Sequence, residues 1–255
     1  MKFNDVASQL EGIPYTSPQM GKVLYDFIMD TQPNQCLELG FAHGVSSCYL
    51  AAALQELNRG HLTSIDLEMS QNLHPSIELL LSRTGLGDWV TVVRERTGYN
   101  WFLKKKIEAA MVEHQCQPIY DFCFIDGAKN WTIDGFAFFL VDKLLRQRGW
   151  IVFDDYSWSY AQIEAQTGKK VSDGINHCEL SDEERIQPHI EEIFQNLVIC
   201  HPNYSNFKVV DDKFAYAQKI RSDVKTLKLD TSVSFKYKLV SWLKRILHKS
   251  RYKLA

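Results

Sequence analysis

Short apolar runs alternate with longer amphipathic stretches between residues 17 and 155, and turn residues separate them at regular intervals. The short runs predict strands at Gln35–Leu39, His61–Asp66, Val90–Val93, Tyr120–Ile125 and Trp150–Phe153. The longer stretches carry apolar residues at helical spacing and predict helices over about 17–30, 45–57, 72–84, 98–114 and 132–147. Five strand–helix units in succession predict a parallel sheet covered by helices on both faces and joined by right-handed crossovers. After Asp155 the rhythm changes to a polar loop over about 156–180, a helix near 182–195, the apolar run Leu197–Cys200 and the alternating run Phe207–Ala217. Two closing strands with a short connection predict an antiparallel pair at one sheet edge, which completes a doubly wound, mostly parallel seven-stranded sheet. In such sheets ligands bind beyond the carboxyl ends of the strands, so the residues just after each strand carry the chemistry.

Composition supports one catalytic-size domain. The chain has 255 residues, 45% of them hydrophobic and 24% charged, which allows a sizeable core and excludes a disordered chain. The opening stretch MKFNDVASQLEG has no apolar run, and no 18 consecutive apolar residues occur, so a cytoplasmic protein without a leader or membrane span is expected. The six cysteines (Cys36, Cys48, Cys116, Cys123, Cys178, Cys200) form no CxxC pair, which predicts reduced, mostly buried thiols and neither a disulfide framework nor a zinc site. The formal net charge of -2 hides a division: residues 221–255 hold ten Lys or Arg against Asp223 and Asp230. A domain over 1–220 followed by a basic extension over 221–255 is therefore expected. In the extension, apolar residues at 235, 239, 242, 243, 246 and 247 form a helical stripe flanked by lysines and arginines. Such a helix fits an anionic membrane surface, with peripheral attachment, and equally fits packing on its own domain or on the partner in a homodimer. Nucleic acid is disfavoured, because the preceding chain is acidic.

The first strand ends in Glu38-Leu39-Gly40-Phe41-Ala42-His43-Gly44-Val45-Ser46-Ser47. An acid on a buried strand is followed by a glycine-bounded turn and the start of an alanine-rich helix, whose free N–H groups favour an anionic ligand group. The glycine spacing is GxxxG rather than GxGxxG, which weakens a dinucleotide reading. Taken alone, Gly40 and Gly44 also suit a plain strand-to-helix turn. The next strand ends in Asp66, where a carboxylate can accept hydrogen bonds from both hydroxyls of a ribose. Together, E-x-G-x-x-x-G-x-S and that acid resemble the cofactor site of class I S-adenosylmethionine-dependent methyltransferases, over about residues 10–218. The resemblance implies a Rossmann-like fold and makes Glu38, Gly40, Phe41, His43, Gly44, Ser46 and Asp66 cofactor residues. It places Thr97, in the Arg94-Glu95-Arg96-Thr97 segment after the third strand, near the adenine. His43 alone also reads as a loop histidine without a chemical part.

The fourth strand ends in Asp126 and the fifth in Asp154-Asp155. Adjacent strands lie about 4.8 Å apart, so these carboxylates can meet around one ion. Clustered carboxylates repel one another and favour a hard divalent cation with all-oxygen ligands, for which Mg²⁺ is the first choice. Each acid on its own also reads as a helix cap or a turn former. The set resembles the metal-dependent O-methyltransferases of the catechol and caffeoyl-coenzyme A type and their bacterial relatives of methyltransferase family 24. In those families a lysine three residues after the first acid stands beside the substrate hydroxyl, and Lys129 has that spacing from Asp126. The resemblance implies that Lys129 is catalytic, that Asp126, Asp154 and Asp155 bind metal, and that Asp126 also borders the cofactor. A depressed pKa in a low-dielectric pocket would let Lys129 take the hydroxyl proton, although a lysine read singly is more often solvated. The segment Gly12–Pro18 resembles the piece that precedes a helix closing over the cofactor. Tyr156, Trp158 and Tyr160 suit either a wall for a small-molecule or glycan acceptor or ordinary loop packing. Two other classes stay open on sequence grounds: a Rossmann-like oxidoreductase, and a cofactor-binding protein acting mainly through its basic tail.

Overall fold

A computed structural model describes residues 2–171 and 180–222. Seven strands form one sheet: β1 (Gln35–Leu39), β2 (His61–Leu67), β3 (Val90–Glu95), β4 (Tyr120–Ile125), β5 (Leu145–Phe153), β6 (Tyr204–Val210) and β7 (Phe214–Lys219). Their order is β3-β2-β1-β4-β5-β7-β6, parallel from β3 to β5, with β7 and β6 antiparallel at one edge. The expected doubly wound seven-stranded sheet is the one found. The strand order reverses between β1 and β4, so the crevice for a ligand opens at their carboxyl ends.

Helices α1 (Phe3–Gln9), α2 (Pro18–Thr31), α3 (Val45–Glu56) and α4 (Ile77–Thr84) cover one face. The other carries α5 (Tyr99–Ala109), α6 (Trp131–Leu144) and α9 (His189–Ile193). Two more helices, α7 (Tyr160–Thr167) and α8 (Asp182–Ile186), lie between β5 and α9 in the chain. Strand side chains alternate between the layers: Phe122 and Phe124 pack with Leu24, Ile28 and Leu50, whereas Cys123 and Ile125 pack with Leu103, Phe138 and Val141. Burial on both faces explains why β4 reads as a nearly unbroken apolar run.

Several boundaries differ from the sequence reading. The run Leu197–Cys200 is not a strand: Phe194–Val198 form a π-helical turn continuing α9. Ile190, Ile193, Phe194 and Val198 are buried while Ile199 and Cys200 are exposed, which is the spacing of a helical face. The antiparallel edge pair exists, but both its strands come from the neighbourhood of the single run read at 207–217, which Asp211-Asp212-Lys213 splits into β6 and β7. The supposed loop at 156–180 contains α7, begun by a capping box between Ser159 and Gln162. Pro188 divides the helix expected at 182–195 into α8 and α9. Among the described cysteines, all are free; Cys36, Cys48 and Cys123 are buried, Cys116 is half-buried, and Cys200 is exposed. No described helix is long and apolar enough to cross a membrane. Cys178 and the basic amphipathic helix expected at 235–254 lie outside the described residues.

Candidate active site

Register sets the site. Leu39 is the partner of both Ile65 and Ile125, and Ile125 is the partner of Phe153, so the next residues, Gly40, Asp66, Asp126 and Asp154, stand in one row along the sheet edge. Hydrogen bonds continue the ladder one step past the strands: Gly40 N donates to Ile65 O at 2.8 Å, Asp126 N to Leu39 O at 2.8 Å and Asp154 N to Ile125 O at 3.0 Å. Above this row opens a cleft of about 770 Å³, within the size range of cofactor and substrate sites.

The glycine loop is fixed from two sides. Asp66 Oδ2 accepts from the backbone N–H groups of Phe41 (2.9 Å) and Ala42 (2.7 Å), and its Oδ1 accepts from Leu67 N at 2.6 Å. Behind the loop, Glu38 is fully buried and accepts from the hydroxyls of Ser46, Ser47 and Ser64. Burial raises the Glu38 pKa, and the three hydroxyls pull against that rise. Glu38 is not part of the cleft wall; it ties the start of α3 to β1 and β2. Gly40, Phe41, His43, Ser46, Asp66 and Thr97 do line the cleft. Gly44 stands behind it at the α3 N-cap, with φ +90° and Ile77 packed where a side chain would be. His43 is buried, with Nδ1 2.7 Å from Pro75 O and its ring 5.7 Å from that of Tyr15. Pro14 and Tyr15, from the segment ahead of α2, reach the cleft mouth.

Gly40 has φ +91°, and a Cβ there would run into the backbone of Asp126 and Gly127. Neither strand end can retreat without breaking the Asp126-to-Leu39 bond. Gly40→Ala is therefore expected to destabilise the fold by about 2 kcal/mol or more, read as a drop in the denaturant midpoint at unchanged slope.

The acidic group assembles at the ends of β4 and β5. One carboxylate oxygen from each of Asp126, Asp154 and Asp155 lies within 4.8 Å of the others. Asp154 is buried, and its Oδ1 accepts no hydrogen bond among the described residues. A buried, unsatisfied carboxylate oxygen beside two further carboxylates fits a hard divalent cation. Two lysines stand in the same cluster. Lys129 Nζ pairs with Asp126 and lies 3.3 Å from Asp155 and 3.8 Å from Asp154. Lys213, which the sequence reading did not single out, pairs with Asp155 and lies 3.3 Å from Asp154.

In the absence of a cation the electrostatics do not depress the Lys129 pKa. Burial tends to lower the Lys129 pKa, but the three carboxylates outweigh it and hold that pKa well above the ordinary lysine value. Burial pushes Asp126 up, reinforced by Asp154 and Asp155 against the pull of Lys129. Asp155 is lowered because Lys129 and Lys213 together outweigh its burial. Without a cation at the carboxylates, these ion pairs favour the ammonium form of Lys129.

The turn that carries Lys129 is clamped. Ala128 N donates to the Tyr99 hydroxyl at 3.2 Å, and the Tyr160 hydroxyl donates to Ala128 O at 2.8 Å. Tyr99 in turn donates to buried Asp134, which also accepts from Asn130 N at 2.9 Å. Lys129 and Asp155 both have left-handed backbone, with φ of 56° and 58°, the kind of strain that surrounding contacts hold at functional sites. Trp158 and Tyr160 line the cleft beside the acids. Tyr156 does not: it is buried against Phe194, and its hydroxyl accepts from Gln195.

Comparison with known proteins supports the fold. The model of one family, a methyltransferase domain, matches residues 37–156. No curated protein sequence gives a significant match. A Staphylococcus aureus structure provisionally named a caffeoyl-CoA O-methyltransferase is 18% identical, with TM-score 0.60 over 86% of this chain and 92% of that one. An O-methyltransferase from Bacillus cereus in complex with SAH is 21% identical, with TM-score 0.57 over 85% and 90%. The Streptomyces achromogenes O-methyltransferase TomG, involved in tomaymycin synthesis and solved with SAM, is 18% identical, with TM-score 0.54 over 85% and 88%. At these identities the likeness establishes the fold.

Proposed function

We propose that this chain, whose residues 37–156 match a methyltransferase-domain model, transfers the sulfonium methyl group of S-adenosylmethionine to a hydroxyl of a small-molecule or glycan acceptor. The observation that carries this reading is the row Gly40, Asp66, Asp126 and Asp154, which joins a cofactor loop to a carboxylate cluster under one cleft. Asp66, besides holding the loop, is the residue of the row placed to meet the ribose, and Thr97 borders the region for the adenine. Asp126, Asp154 and Asp155 would hold a divalent cation, Mg²⁺ by donor type. When bound, S-adenosylmethionine supplies an electrophilic methyl group and the cation lowers the proton affinity of the acceptor hydroxyl.

The chain's own residues do the rest. The loop from Gly40 to Gly44 and the cleft walls align the acceptor oxygen with the methyl carbon, and that alignment supplies much of the rate. Lys129 Nζ, after releasing its own ammonium proton to solvent once the carboxylates no longer hold it, would take the hydroxyl proton. Trp158 and Tyr15, which line the cleft, would present aromatic surface to the acceptor.

Calorimetry with S-adenosylhomocysteine and with NADH tests the cofactor assignment. The wild-type chain is expected to bind the first and not the second. Asp66→Ala is expected to weaken S-adenosylhomocysteine by roughly 10- to 100-fold, because charge-assisted bonds to the loop and the ribose disappear together. Tight NADH binding, or unchanged S-adenosylhomocysteine affinity in a folded Asp66→Ala variant, would overturn the assignment.

A further inference from the structure

Three carboxylates in the cleft face two lysines of unequal freedom. Lys129 sits on the clamped turn after β4, with its side chain 11% exposed. Lys213 sits on the turn between β6 and β7, with its side chain 28% exposed and its backbone held independently: its carbonyl accepts from Tyr156 N at 3.0 Å. The neighbouring Asp212 carbonyl accepts from Ser157 N at 3.1 Å and from Ser157 Oγ at 2.9 Å. The Lys213 side chain can therefore leave the cluster without disturbing the hairpin. Its Nζ contacts Oδ1 of both Asp154 and Asp155. At Asp154 that contact makes no hydrogen bond, so this oxygen has a cation nearby and no proper partner.

We propose that Lys213 is a tethered counter-ion that competes with the divalent cation for Asp154 and Asp155, so that the metal enters by displacing its Nζ. The proposal rests on the metal reading given above and goes beyond it, because it makes cation affinity a property set by a residue of the far sheet edge. Lys213 offsets one unit of the negative charge that the carboxylates present to an incoming cation, and its loss returns that unit to the same oxygens. At these separations one unit charge changes the attraction for a divalent ion strongly, even at the high effective dielectric of a partly open cleft. The metal also gains ligand atoms that it no longer shares with an ammonium group. Lys129 cannot take the same part, because its clamped turn and smaller exposure keep it beside Asp126 in either state.

The test is Mn²⁺ binding to the full chain without acceptor, followed by electron paramagnetic resonance of the free ion and by calorimetry. Wild type, Lys213→Met, Lys213→Gln and Lys213→Arg are compared. Both neutral variants are expected to bind Mn²⁺ at least roughly tenfold more tightly than wild type, and Lys213→Arg to stay within about threefold of it. Two neutral variants of different polarity guard against one of them folding badly, which thermal melting checks. Equal or weaker Mn²⁺ affinity in the folded neutral variants overturns the proposal while leaving the metal site intact. Absence of binding in every protein up to millimolar Mn²⁺ overturns both the metal reading and the competition built on it.

Discussion

Asp154→Ala is expected to leave S-adenosylhomocysteine affinity within about threefold of wild type and to lower methyl transfer by roughly three orders of magnitude. Asp154 is buried at the end of β5, and of the three acids it is the one with a fully buried oxygen that has no hydrogen-bond partner among the described residues. Removing it deletes one of the three carboxylates of the proposed metal site. The cofactor loop belongs to β1 and β2 and is held by Asp66 and Glu38, neither of which touches Asp154. The fold should survive, since the bond from the residue 154 N–H to Ile125 O is made by backbone. Turnover of labelled S-adenosylmethionine with catechol as probe acceptor gives the rate, and calorimetry gives the affinity. Activity within tenfold of wild type, or full activity of wild type in excess chelator, would leave the methyltransferase standing and remove the metal.

The parts of the site that were legible in the sequence are those local to one strand end. Gly40, Asp66, Asp126 and the pair Asp154-Asp155 each stand at the end of a strand run, and parallel register turns four separate strand-end signals into one row. Glu38 shows the limit of such reading. Its place in the glycine motif suggested a cofactor contact, but its direction along β1 sends the carboxylate behind the loop to three serine hydroxyls. Lys213 shows another limit, because it lies 58 residues from Asp155 and reaches it only through the antiparallel pairing of β5 with β7. No local spacing encodes that approach; the polar turn Asp211-Asp212-Lys213 between two apolar strands was the available signal, and it was read through as one strand. The run at 197–200 failed for the opposite reason, since four consecutive apolar residues carry no period of their own and α9 imposed a helical one.

Lys129→Met is expected to lower methyl transfer by roughly 10²- to 10⁴-fold with little change in S-adenosylhomocysteine affinity, the range for loss of a positioned proton acceptor. Two roles compete for this lysine, and the structure makes both concrete. As a counter-ion it contacts all three carboxylates, and their charge outweighs its burial to keep it protonated. As a base it must be neutral, which requires that charge to be engaged by a cation. Lys129→Arg separates the two roles: a guanidinium ion keeps the positive charge but does not give up a proton under these conditions. If proton acceptance matters, the Arg variant should be as slow as the Met variant, with its metal-free thermal stability near that of wild type. The Met variant should melt lower in metal-free buffer, because the carboxylates then keep only Lys213, and Mn²⁺ should restore its stability without restoring turnover. An Arg variant with near wild-type turnover would assign Lys129 to charge balance alone, and the hydroxyl proton would then have to leave by another route.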